Sequence, residues 1–161
     1  MEPDPVETIN IRPARDGEHV ALTALVIRSV EGTWDYPDEF MAWNLEDIII
    51  EPEHIRDMIT NVVEVDGRVA GVYVLRGGAP EMELSRMMVD AGSTGRGLGR
   101  LLWEHAVETA KQFGVDELKI DSDPNAEGFY LRMGAVTIGE FDWSPPMMPG
   151  WHVKTMKYRI P

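Results

Sequence analysis

Residues Asp90 to Ala106 read DAGSTGRGLGRLLWEHA, with glycines at 92, 95, 97 and 99 directly ahead of a strongly amphipathic helical pattern. The preceding run, EMELSRMMVD, carries Met82, Leu84 and Met87 to Val89 and reads as a strand that is central and buried on both faces. The following run places Leu98, Leu101, Leu102, Ala106, Ala110 and Phe113 along one helical face. Lys111 falls in its last turn and Gly114 lies just past its end. A buried strand feeding a glycine turn and then a one-faced helix requires a sheet for that helix to lie on. The chain must therefore build mixed α/β structure around this unit.

The rest of the pattern agrees. TINIRPA alternates as a first strand ending at Pro13, and Asp16 is placed to cap a helix carrying Val20, Leu22, Leu25, Val26 and Val30. The segment from Gly32 to Ile50 is aromatic and acidic, broken by Pro37, and suggests a loop and a short helix. Pro52 opens another short helix. NVVEVDGRVAGVYVL is a hairpin, two valine-rich runs around Asp66-Gly67. DELKID is a strand, Asp123-Pro124 stand as N-cap and first residue of a helix ended by Gly134, and AVTIGEF and HVKTMKYRI close the chain as strands. The expected architecture is one domain over residues 1–161, with a mostly antiparallel sheet flanked by helices.

Composition narrows the chemistry. The 161 residues contain no cysteine, which removes disulfides, thiolate-bound metals and a cysteine nucleophile. The four histidines (19, 54, 105 and 152) are scattered without ligand spacing, so no metal is expected. A net charge of −13 argues against generic nucleic-acid binding and favours cationic partners such as amines. No apolar run reaches the ~18 residues of a membrane span. The acidic MEPDPVE start is neither a secretory nor a transit signal, so a cytoplasmic location is expected.

The glycine turn fails both common nucleotide patterns. A Walker loop needs Lys-Ser/Thr where Leu98 follows Gly97, and a dinucleotide fingerprint would need glycine at Arg100. The physical content of an anion site remains. Glycines let backbone approach a ligand, the first helical turn leaves its amides unpaired, and Arg96 and Arg100 add charge at the rim. The same spacing also fits a plain strand–helix connection whose glycines only make the turn tight.

Strand ELSRMMVD followed by GSTGRGLGRLL resembles the GCN5-related N-acetyltransferase (GNAT) family, whose acyl-CoA signature is a strand, a turn of the form Gln/Arg-x-x-Gly-x-Gly/Ala and a long helix. DPNAEGFYLRMGA (Asp123 to Ala135) is similar to the family's second signature, and the opening strand, helix and hairpin also match, so the resemblance covers nearly the whole chain. It implies the acyl-CoA N-acyltransferase fold and transfer of acetyl from acetyl-CoA to a primary amine by direct attack, without metal.

In the turn, the resemblance assigns Thr94, Gly95, Arg96, Gly97, Leu98, Gly99 and Arg100 to the CoA pyrophosphate. The backbone of Met87, Met88 and Val89 falls to the pantetheine arm, with the Val89 amide polarising the thioester carbonyl. Asn125 is assigned to CoA polar atoms, Tyr130 to protonation of the departing thiolate and Glu83 to the base, with Glu81 as the alternative. Two departures stand out: Thr94 replaces the usual Gln or Arg, and Gly134-Ala135 replaces Gly-Phe.

The acceptor is less legible. Trp34, Tyr36, Phe40 and Trp43 among Glu31, Asp35, Asp38 and Glu39 either wall an amine site or pack inward with their acids in water; the second reading is the expectation. The loop FDWSPPMMPGW borders the site or forms a homodimer contact. The rival functions are a non-catalytic acyl-CoA-binding domain and a phosphate-binding interaction domain.

Overall fold

In the computed structural model, which describes residues 2–3 and 6–161, seven strands form one sheet in the order β1-β2-β3-β4-β5-β7-β6. The acidic N-terminal stretch lies partly outside the described residues. The strands are β1 (Ile9–Pro13), β2 (Ile59–Val65), β3 (Arg68–Gly78), β4 (Glu81–Val89), β5 (Glu117–Ser122), β6 (Val136–Asp142) and β7 (His152–Arg159). The helices are α1 (His19–Thr33), α2 (Asp38–Ile48), α3 (Pro52–Asp57), α4 (Leu98–Gln112) and α5 (Glu127–Arg132). Among the described residues no helix is long and apolar enough to cross a membrane.

The valine runs of the hairpin follow from burial on both faces. Val62, Val72 and Val74 pack with Leu22, Leu25, Val26 and Phe40 under α1 and α2. Val63, Tyr73 and Leu75, one residue out of phase, pack with Leu98, Leu102 and Ala106 of α4 on the opposite face. The tyrosine in this valine-rich run keeps its hydroxyl satisfied. It accepts from Asn61 Nδ2 at 2.8 Å, and lies 2.8 Å from His105 Nδ1 and 3.1 Å from Thr109 Oγ1, tying β2, β3 and α4 together. Burial lowers the His105 pKa, which suits a neutral ring accepting from Tyr73.

Every strand pair is antiparallel except β4–β5, and that exception builds the site. The parallel pairing covers only Glu81–Glu83 against Glu117–Lys119. Ser85 then interrupts the β3–β4 register between Leu84 and Arg86, a bulge that bends β4 while β5 continues alongside β7. The two strands part, and from Ser85 to Val89 one edge of β4 has no neighbouring strand among the described residues. β4 is therefore central, but its last five residues are only half-buried, unlike the strand covered on both faces that its composition suggests.

Four local expectations are corrected. Helix α1 starts at His19 behind Glu18 rather than behind Asp16, and Val20 points outward. Phe113 is 59% exposed because α4 ends there; Trp103 takes the buried aromatic place instead, edge-on to Tyr130 and Tyr158. Asp123-Pro124 do not begin α5, which starts at Glu127 after Ala126. Asp123 Oδ1 instead accepts the Asn125 amide at 2.7 Å, a local turn that competes with a helix cap.

Candidate active site

The opening between β4 and β5 contains two connected clefts. A smaller one, about 240 Å³, lies between α1, the end of β4, the glycine turn and α5, and includes Ser29, Val89, Thr94, Gly99, Asn125 and Phe129. A larger one, about 340 Å³, lies on the other side of the gap and includes Asp47, Glu83, Arg86, Asp123, Trp143 and Trp151. Trp34, Met87, Met88, Ala126 and Tyr130 line both, so the two spaces meet at these residues.

Of the sequence-assigned donor residues, Met87, Met88, Val89, Thr94, Gly99 and Asn125 line the small cleft, while Gly95, Arg96, Gly97, Leu98 and Arg100 do not. Gly97 is the N-cap of α4 at φ 77°, ψ 8°, a left-handed conformation that turns the chain abruptly from loop to helix. The next amides open the helix without intrahelical acceptors, so their N–H groups and the helix dipole favour an anion there. A Cβ at Gly97 would meet no atom within 4 Å. The Leu98 side chain is buried in the core, leaving only its main chain for a ligand. Asp90, at the start of the turn, is tied to Arg28 of α1 at 2.9 Å, and that ion pair holds its carboxyl below the usual carboxylate range.

The rim charges are engaged elsewhere: Arg96 pairs with Glu7, and Arg100 stands 4.0 Å from Glu104. The Thr94 hydroxyl donates to the Ala91 carbonyl at 3.2 Å, fastening the turn. These features fit a diphosphate held by main chain rather than by a row of cations. Among the described residues no group of three or more His, Asp or Glu is arranged to hold a metal.

Tyr130 is 7% exposed at the junction, edge-on to Trp103 and Phe129. Burial pushes its hydroxyl pKa up and the nearby Asp123 charge adds to the shift, so it stays protonated through neutral pH. Glu83 lines the large cleft but accepts from Arg76, at 3.1 Å from Nε and through Nη2 as well. Glu81 stands apart, 3.7 Å from Lys157, and lines neither cleft.

Several groups here stand outside the site residues assigned from sequence. Asp123 reads from sequence only as a cap, yet its carboxylate accepts the Tyr36 hydroxyl at 2.8 Å and faces the large cleft. Burial raises its pKa, partly offset by hydrogen bonds from the Asn125 amide and Tyr36. Tyr36 in turn accepts from Asn125 Nδ2 at 2.6 Å and from Trp151 Nε1 at 3.1 Å, joining three distant segments. Asn125 therefore turns its side-chain amide toward Tyr36 and Asp123.

The aromatic wall also differs in membership. Phe40 is fully buried and Tyr36 packs on it with ring centroids 4.2 Å apart, while Glu31, Asp35, Asp38 and Glu39 are exposed. The inward-packing expectation thus holds for Tyr36 and Phe40, whereas Trp34 lines both clefts and Trp43 is exposed. The cleft takes its aromatics from Trp34 and from Phe141, Trp143 and Trp151 of the β6–β7 region.

Comparison with known proteins decides the family. An acetyltransferase (GNAT) domain model matches residues 43–141. The chain belongs to the GNAT acetyltransferase family.

Among similar proteins, peptidyl-lysine N-acetyltransferase YjaB of Salmonella typhimurium is 29% identical over 131 residues, covering 81% of this chain and 86% of that protein. Solved structures share the GNAT fold. The PaiA N-acetyltransferase of Thermoplasma acidophilum, in complex with coenzyme A, superposes with a TM-score of 0.78 at 18% identity, covering 94% of this chain and 99% of its own. The ribosomal-protein-S18-alanine N-acetyltransferase of Escherichia coli superposes with a TM-score of 0.72 at 18% identity, covering 95% and 94%. As a GNAT acetyltransferase, this chain is an acetyl-CoA-dependent N-acetyltransferase, the activity its two motifs imply.

Proposed function

We propose that the small cleft takes acetyl-CoA, the large cleft takes a primary amine, and the two react where the clefts meet at Tyr130. The observation that carries this reading is the gap between β4 and β5, which joins a cleft beside the glycine turn to an aromatic cleft through a shared tyrosine.

The turn from Thr94 to Arg100 would hold the donor's diphosphate by its amides. The unpaired edge of β4 at Met87, Met88 and Val89 would hold the pantetheine arm as an added strand, with the Val89 amide directed to the thioester oxygen. Bound acetyl-CoA supplies an activated acyl carbon and a thiolate leaving group. The amine must arrive neutral, and an alkyl ammonium with a pKa of about 10 needs a base to lose its proton. Glu83 is assigned that role through water. Tyr130, kept protonated by burial, donates its phenolic proton to the departing sulfur.

Asp123 is a second reading for the base. It faces the same cleft, and burial moves its pKa upward toward the range in which a general base works best. The test is release of free CoA from acetyl-CoA across a panel of amines, with CoA binding measured in parallel. Amine-dependent release supports the enzyme. Binding without release for any amine leaves a non-catalytic acyl-CoA-binding domain. Phosphate or nucleotide binding in place of CoA overturns the donor assignment.

A further inference from the structure

Arg86 stands apart from the other charged groups of the large cleft. The bulge at Ser85 sets it opposite Val74, two residues from Met88, which is opposite Val72; Arg86 and Met88 therefore share the α1–α2 face of the sheet. Each acid of the cleft already has a neighbour to satisfy it. Asp47 accepts from Trp143 Nε1 at 3.3 Å, Glu83 pairs with Arg76, Asp121 lies 3.9 Å from Lys119, and Asp123 accepts from Tyr36.

Among the described residues Arg86 hydrogen-bonds only its neighbour. Its Nη1 donates to the Ser85 carbonyl at 2.9 Å and hydroxyl at 3.2 Å. Its Nε is fully buried without a hydrogen-bond partner, and no carboxylate comes within 4.0 Å of it among the described residues. Burial lowers its pKa from the ordinary arginine value, but a guanidinium stays charged at neutral pH. Asp47, Glu83 and Glu51 act on it only from a distance, so a half-buried cation keeps a spare fork of donors without a carboxylate in contact, and its planar geometry suits one.

We propose that Arg86 binds a carboxylate of the acceptor, so that the acceptor is a small amino acid-like molecule with a primary amine, a carboxylate and an apolar body. Trp34, Trp143 and Trp151 supply the apolar wall for that body. Met88, two residues along the same face, also lines the donor cleft, which puts the amine end toward the junction. The proposal rests on the acetyltransferase reading and names the acceptor class of the same site.

The test has two arms. In the first, CoA release is measured for a set of free amino acids against the corresponding amino-acid amides. The wild-type enzyme should prefer the acids by about 10- to 100-fold in kcat/KM, the range of a hydrogen bond to a charged group. Arg86→Gln should remove that preference while leaving KM for acetyl-CoA unchanged, and Arg86→Lys should restore part of it. In the second, calorimetry in the presence of CoA compares binding of N-acetyl amino acids with that of their amides to wild-type and Arg86→Gln protein. Tighter binding of the acids, lost in the variant, supports the carboxylate site even where no turnover is found, and that pattern would count against the transferase reading alone. Turnover of the amides, or of a lysine peptide, as fast as the free acids overturns the Arg86 assignment and leaves the transferase intact. Equal binding of acids and amides by the wild type overturns it as well, whether or not Arg86→Gln folds.

Discussion

Replacing Gly97 separates the backbone role of the turn from its ligand role. Gly97 holds φ 77° at the N-cap of α4, and a side chain there costs about 1 kcal/mol because a Cβ crowds the following carbonyl. For a chain of this length that corresponds to about 2–4 °C in Tm. A Cβ at the position would meet nothing within 4 Å, so Gly97→Ala should fold with only that loss. Gly97→Glu adds a carboxylate at the mouth of the amide cradle. Opposed to a diphosphate about 5 Å away at an effective dielectric near 20, one pair of like charges costs about 3 kcal/mol. That is at least a hundredfold loss of CoA affinity, and the new carboxylate can also compete for the helix amides. Calorimetric titration with CoA and thermal unfolding should be run on both variants, with Gly92→Ala as control, since Gly92 lacks positive φ and its Cβ would also meet open space. CoA binding to Gly97→Glu at wild-type affinity would refute the placement of the diphosphate at the start of α4.

Three further outcomes follow from the site and core. Tyr130→Phe should lower kcat about 100-fold with CoA affinity and Tm nearly unchanged, since only one hydroxyl is lost from a packed aromatic cluster; unchanged kcat would remove Tyr130 from the proton-donor role. In kcat/KM against pH, Asp123→Asn should abolish the acidic limb if Asp123 is the base, whereas loss of that limb in Glu83→Gln and its survival in Asp123→Asn assigns the role to Glu83. His54 and His105 both have pKa values lowered by burial, and each ring Nδ1 has a partner, the Glu51 amide and the Tyr73 hydroxyl. Protonation therefore favours the unfolded chain. Their contribution to stability is complete above the unfolded histidine value of about 6.5 and falls as pH drops from there toward the lower folded values. Denaturant titrations from pH 8 to 5 should show this decline, and His105→Gln should shallow it.

The strand–glycine turn–helix unit was legible because its signals are local: glycines where backbone must turn or be approached, and apolar residues on one helical face. The valine hairpin was equally direct, because burial on both faces leaves nearly continuous apolar runs around a turn dipeptide. Tyr130 came from a motif, and its burial at the junction of the two clefts is consistent with the role assigned to it.

The acceptor side did not yield to the same reading. Asp123 looks like a helix cap until Tyr36, 87 residues away, is found donating to it, and Trp151 joins them from the far end of the chain. Arg86 looks like an ordinary polar interruption in a strand otherwise read as buried on both faces. The bulge at Ser85 decides which face it takes, and the parting of β4 from β5 makes that face a cleft. The local pattern determined the elements and the donor turn, since those depend on neighbours within a few residues. Only tertiary structure decided which side chains share the reaction space, because that space opens where two strands stop pairing and is walled by segments far apart in the chain.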